Sequence, residues 1–203
     1  MLSLILIIVI LTVLISYQGF SNSDFVEKSF FIPYRVKYNK EYFRIFSHLF
    51  IHADWTHLSF NMISLYFLGG FLESQWNYEF GNLSNYYLLV LYFGGGITAT
   101  LWPYFRNSQN PAYRSLGASG AVSAVIFSAM LWNPQLELYL MFIPIPIKAY
   151  ILAPLYLVFE YYSLKRGGSG IAHDAHIGGA LFGILFVLLI DSNKGIEFLA
   201  LLF

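Results

Sequence analysis

The chain has 203 residues, of which 58% are hydrophobic, 20% aromatic and only 11% charged, where a soluble domain carries about 25% charged residues. Eleven basic residues balance eleven acidic ones, which excludes the basic stripe of a nucleic-acid binder. The absence of cysteine excludes disulfides, thiol catalysis and thiolate metal sites. So much apolar surface exceeds what a fold of this length buries in water, and a lipid bilayer is the expected solvent.

Six apolar stretches approach the ~20 residues that a spanning helix needs. The first, Leu2–Phe20, lacks a basic n-region and an A-x-A-like cleavage site, so it reads as a retained helix and not a signal peptide. The long connection Ser21–Thr56 mixes aromatics such as Phe30, Phe31, Tyr42, Phe43 and Trp55 with scattered charges, a composition that favours the headgroup interface. Then come His57–Leu72, Leu83–Phe105 and Leu116–Trp132. The fifth stretch, Leu136–Leu164, is broken by Pro144, Pro146 and Pro154. The prolines predict a loop or re-entrant stretch over Leu136–Pro146, with the helix proper starting near Ile147. Ile171–Ile190 is the sixth. Neither repeats nor low-complexity segments interrupt the chain, so a single domain over residues 1–203 is expected, with helices near 2–20, 57–72, 83–105, 116–132, 147–164 and 171–190.

Polar groups at membrane depth are costly and usually face a protein interior or a water-filled cavity. Three clusters stand out. HLFIHADWTHLSFN supplies His48, His52, His57 and Asn61, with His57 and Asn61 four apart on one helical face. GASG places Ser119 at the start of the fourth helix, and AHDAHIGGALFG places His173, Asp174 and His176 at the start of the sixth. The second, fourth and sixth helices run in the same direction, so all three clusters fall near one membrane face.

Small residues set which helices approach closely. Gly179 and Gly183 share a face with His176, and Gly120, Ala124 and Ser128 form a small-residue row on the fourth helix. Close packing of these two helices would bring Ser119 to His176. A serine hydroxyl is a weak nucleophile until a neighbouring base takes its proton, and a neutral imidazole does so near neutral pH. The Ser119 N–H at a helix start, the Asn61 amide and the His57 ring N–H are the donors an oxyanion would need. Each residue also has a plainer reading. A membrane serine usually caps or back-bonds its own helix, Asn61 suits helix packing, and His173 and Asp174 suit a solvated cavity mouth. Glu160, followed by Lys165 and Arg166, reads as a side chain snorkelling to the interface.

In order and spacing these motifs resemble the rhomboid family of intramembrane serine proteases. The residues that carry the resemblance are His48-x3-His52-x4-His57-x3-Asn61, Gly117-Ala118-Ser119-Gly120 and Ala175-His176-x2-Gly179-x3-Gly183. The resemblance implies an all-α membrane protein with a six-transmembrane-helix core and a long interfacial first loop, lying in a bacterial-type inner membrane. It implies an endopeptidase that cleaves transmembrane segments of other membrane proteins through a Ser–His dyad without an acid third member. Ser119 would be the nucleophile, His176 the general base, and His57, Asn61 and the Ser119 N–H the oxyanion stabilisers. No cofactor or metal is implied, and the partners are transmembrane substrates and the bilayer. Arg44 and Glu73 match positions the family often keeps, and His52 matches one expected to be structural within the first loop.

Two positions depart from the family pattern. Phe43-Arg44 stands where Trp-Arg is frequent, and Ser123 stands where an aromatic often stacks on the catalytic histidine, so His176 must be held another way. A membrane metalloenzyme built on His48-x3-His52 and His173-x2-His176 is a different reading, but it leaves Ser119 and Asn61 without a task. A catalytically inactive relative that only binds should have lost Ser119 or His176, and both are present.

Overall fold

A computed structural model describes residues 3–139, 145–168 and 170–203. Helix α1 (Leu4–Phe20) begins at Ser3, whose hydroxyl accepts the Leu6 N–H at 3.1 Å. Glu73 adds a second cap, accepting from the Leu4 N–H at 2.6 Å and from the Ser3 hydroxyl. This sets a carboxylate at the positive end of the α1 dipole.

The first loop folds into α2 (Ser23–Ser29), α3 (Pro33–Tyr38) and α4 (Arg44–Ser47), closed by a 3-10 turn at His48–Phe50. Arg44, only 2% exposed, ties this segment together. Its Nη1 donates to the carbonyls of Glu27, Lys28 and Phe30 at 3.2, 2.8 and 2.9 Å, and its Nε donates to the Glu41 carboxylate. Those carbonyls belong to the end of α2, where helix geometry leaves acceptors unpaired.

Helix α5 (Trp55–Ser64) starts two residues before the expected His57, because Asp54 accepts the His57 N–H at 2.7 Å and caps it. It continues through a π turn (Leu65–Gly69) into α6 (Gly70–Phe80). The chain turns at Gly81, whose φ of 54° suits glycine, and a 3-10 turn leads into α7 (Ser84–Asn107). Helix α8 (Ser119–Trp132) is buried from Gly120 to Trp132 except at Ile126. An apolar helix of this kind belongs at the centre of a bundle. Strands β1 (Glu137–Tyr139) and β2 (Pro146–Lys148) pair antiparallel, Glu137 opposite Lys148, with a 2.8 Å ion pair between those side chains. Helices α9 (Ala149–Arg166), α10 (His173–Ile190) and α11 (Asn193–Leu199) complete the fold.

Each of the six expected segments holds a helix among the described residues. The fifth starts at Ala149, not Ile147, which lies in β2, and the fourth and sixth start at Ser119 and His173. The ribbon β1–β2 and helix α11 were not expected, and the predicted loop over Leu136–Pro146 falls partly at residues 140–144, outside the described residues. Two helical runs among the described residues are long and apolar enough to cross a membrane: Trp55–Asn107, with an 18-residue window of mean hydropathy 1.3, and His173–Ile190, with 1.7. Leu4–Phe20 and Ser119–Trp132 are apolar but shorter. The 14 residues of α8 rise only about 21 Å, less than the ~30 Å of a hydrocarbon core. The expectation of six spanning helices thus stands in its coarser form, a helical bundle around a short buried helix.

Candidate active site

The contact between α8 and α10 is made by backbone. A Cβ added to Gly179 would lie 1.9 Å from the Gly120 carbonyl oxygen, and one on Gly183 would lie 2.2 Å from that of Ala124. The Ser128 hydroxyl donates to the Gly183 carbonyl at 3.0 Å. A Cβ on Gly120 would meet Ala99 of α7 at 2.4 Å and the Ala175 carbonyl oxygen at 3.4 Å. Ser119, the residue before Gly120, lines one cavity with Ala175, the residue before His176. Among the described residues no hydrogen bond joins Ser119 to His176. In free enzymes such bonds are often long and tighten when substrate binds.

The loop ahead of Ser119 is held from three sides. Gly117 has φ of 111°, a conformation that favours glycine, and a Cβ there would strike the His57 ring at 2.6 Å. Its N–H donates to the His48 carbonyl at 2.9 Å. The next N–H, of Ala118, donates to His52 Nε2 at 3.3 Å. His52 Nε2 is thus an acceptor, so its proton sits on Nδ1, which meets the Ser16 hydroxyl at 2.9 Å, and Ser16 donates onward to the Phe50 carbonyl at 2.9 Å. His52 is structural, as expected, but it links α1 to the serine loop and does not close the first loop on itself. His48 Nδ1 meets the Arg44 carbonyl at 2.9 Å. Burial pushes both rings down, His48 to about 4 and His52 to about 3, so both are neutral at ordinary pH.

On α5, His57 is half-buried and in electrostatic contact with His176. Asn61 is 6% exposed, and its Nδ2 donates to the His57 carbonyl at 2.9 Å. That bond uses one of its two amide protons and leaves the other. A narrow cavity beside Ser119 is walled by Thr100, Pro103, Gly117 and Ala175; His57, Asn61 and His176 are not among its walls.

The far side of His176 departs most from expectation. Glu160 is 3% exposed and does not snorkel. Its Oε1 lies 3.1 Å from His176 Nδ1 and its Oε2 lies 2.6 Å from His173 Nδ1. The Tyr156 hydroxyl makes side-chain contacts with both Glu160 and Ser123. A carboxylate stem is too short to snorkel as lysine and arginine do, and this one faces α10. His173 and Asp174 are each 5% exposed, so neither sits solvated at a cavity mouth. Asp174 Oδ1 accepts the Ala175 N–H at 3.0 Å. Glu160, His173 and His176 present ligand atoms within 4.8 Å of one another and could hold a metal ion. His48 and His52 lie in the separate network under the serine loop.

The sequence matches the Rhomboid domain model over residues 39–193. The chain belongs to the rhomboid family. It is 27% identical over 174 residues to RHOMBOID-like protein 12, mitochondrial, of Arabidopsis thaliana, covering 78% of this chain and 49% of that protein. It is 28% identical over 140 residues to Presenilin-associated rhomboid-like protein A, mitochondrial, of Danio rerio, covering 68% and 35%. It is 24% identical over 168 residues to Rhomboid protease AarA of Providencia stuartii, covering 75% and 57%. The chain thus spans between about a third and just over half the length of these curated relatives. Rhomboid-family proteins are integral membrane proteins, which agrees with the composition. The mitochondrial names of the first two relatives lend no support to a bacterial-type inner membrane.

In this rhomboid sequence reasoning misplaces Glu160 most, and His173 and Asp174 with it. The signal was available: an ionisable side chain inside an apolar helix is a functional candidate by default, and the cations at Lys165 and Arg166 drew the reading toward the helix end.

Proposed function

We propose that this chain is an intramembrane serine endopeptidase of the rhomboid family that cleaves transmembrane segments of other membrane proteins within a six-helix domain spanning residues 1–203. The observation that supports this reading is the glycine-lined contact of α8 with α10, which brings Gly120, the residue after Ser119, to the carbonyl of Ala175, the residue before His176. In the reaction, Ser119 Oγ bonds to the scissile carbonyl carbon while its proton passes to His176 Nε2. The carbonyl oxygen takes the negative charge and is held by the Ser119 N–H, the free Asn61 amide proton and the His57 ring. His176 then hands the proton to the departing amine, and water releases the acyl group by the same route in reverse.

The test uses purified protein and a transmembrane substrate. Ser119→Ala and His176→Ala should each abolish cleavage, and the double variant should be no worse than either, because the two act as a unit. A chelator should leave the wild type unchanged. Cleavage that survives Ser119→Ala, or that is lost to a chelator and restored by zinc, would sink this reading in favour of metal chemistry at Glu160, His173 and His176.

A further inference from the structure

Three polar side chains on α8 and α9 continue outward from His176, and the dyad leaves them without a task. Ser123 occupies the place from which an aromatic ring would stack on the histidine. It meets Tyr156, Tyr156 meets Glu160, and Glu160 meets His176 Nδ1. The carboxylate is buried and engages two rings, one through each oxygen. With the second oxygen engaged by His173, Glu160 has little freedom to turn away from His176.

We propose that Glu160 is a positioning residue for His176, replacing the missing aromatic with a hydrogen-bonded acid third member. This inference rests on the proposed roles of Ser119 and His176. A carboxylate at Nδ1 accepts that ring proton and so leaves Nε2 with a lone pair, the form that can take the Ser119 proton. It also fixes the plane of the ring and stabilises the imidazolium formed during acylation. A neutral imidazole without that acceptor divides between two tautomers, one of which offers Ser119 a donor where an acceptor is needed. Tyr156 is a further partner of the carboxylate and is itself met by Ser123, a second layer behind the group that orients the ring.

The test combines kinetics with ring-nitrogen spectroscopy. Glu160→Leu should lower kcat by up to about 10⁴-fold, the loss that the wrong tautomer causes in the Ser-His-Asp triad, with KM changed less than about twofold and thermal stability measured alongside. Glu160→Asp keeps a carboxylate and should recover part of the rate, whereas Glu160→Gln can turn its NH2 toward Nδ1 and hold the wrong tautomer. In the wild-type protein, 15N-labelled histidine assigned through a His176→Gln variant should show His176 protonated on Nδ1. That measurement decides the question even where a Glu160 variant does not fold. A stable Glu160→Leu protein with kcat near wild type would overturn the proposal, as would a wild-type His176 carrying its proton on Nε2. Zinc bound stoichiometrically to the purified wild type and required for cleavage would overturn it too. Ser119→Ala is run in parallel. Cleavage surviving in that variant would defeat the nucleophile assignment itself, whereas loss there beside an unaffected Glu160→Leu defeats only the role of Glu160.

Discussion

Between α8 and α10 the chain dispenses with side chains, and in the first loop it depends on them. Along the helix pair, Gly120, Gly179 and Gly183 let backbone meet backbone, and one serine hydroxyl crosses the gap. In the loop, Arg44, Ser47 and His52 each spend polar atoms on a distant carbonyl, hydroxyl or N–H, and His48 on the Arg44 carbonyl four residues back. Both regions bear on Ser119, the helix pair from His176 and the loop from beneath the serine. The difference lies in what each tolerates. A backbone contact has no slack for added volume, whereas a polar scaffold has none for a missing partner.

The largest effect should come from the polar side of that contrast. Arg44→Ala removes a buried cation from three carbonyls and from Glu41. Glu41 stays partly exposed, so the cost is that of carbonyls left unpaired, about 1–3 kcal/mol for each that stays dry, and α2 with the loop around it should loosen first. Hydrogen exchange should show early opening of residues 23–50, with α8 and α10 still protected. Uniform opening of the whole chain would mean that the loop is not a separable scaffold. On the other side of the contrast, Gly183→Ala adds one methyl where 2.2 Å is open to the Ala124 carbonyl oxygen. Overpacking of this kind costs about 1–3 kcal/mol. Activity should fall with stability, because the helices that carry Ser119 and His176 are forced apart. An unaltered Gly183→Ala protein would break the claim that this contact lacks slack.

The two regions also differ in how readable they were. The small-residue row and the His176 face follow from helical periodicity, so the α8–α10 pairing could be inferred from sequence. Periodicity says nothing about Arg44, because its partners are main-chain carbonyls whose direction depends on how α2 ends. His52 was legible as structural, but its reach from Ser16 to the Ala118 N–H depends on tertiary placement. Glu160 was misread for a related reason. Its distance from Lys165 along the chain was visible, but the facing of α9 toward α10 was not. The ribbon β1–β2 escaped notice because three-residue strands lie below the length at which alternation is distinguishable from an apolar run.

A pH titration sharpens the contrast further, because the loop buries two neutral histidines beneath the serine. Burial holds His48 at about 4 and His52 at about 3, while an unfolded histidine titrates near 6.5. For a depressed histidine the unfolded chain binds more protons below about pH 6.5, so stability is full above that value and falls as pH drops toward the folded values. Between pH 7 and pH 6 the loss should be about 1.4 kcal/mol for the two rings together. Thermal unfolding in the Ser119→Ala background isolates the effect from self-cleavage. A melting temperature that stays flat or rises on acidification would mean that these rings are charged in the folded protein.

The smallest effect should come from the one polar link across the helix pair. Ser128→Ala deletes the 3.0 Å bond to the Gly183 carbonyl and leaves the backbone contacts untouched. A side-chain hydrogen bond between helices in a bilayer is worth about 0.6 kcal/mol on average, and the Gly183 carbonyl keeps its place in the α10 ladder. Ser128→Ala should therefore melt within a degree or two of wild type and cleave at a similar rate, while Gly183→Ala, aimed at the same carbonyl's own residue, should not. If Ser128→Ala instead costs as much as Gly183→Ala, the helices are held by that hydroxyl more than by close approach. The contrast between a region built on backbone and a region built on side chains would then fail at its simpler end.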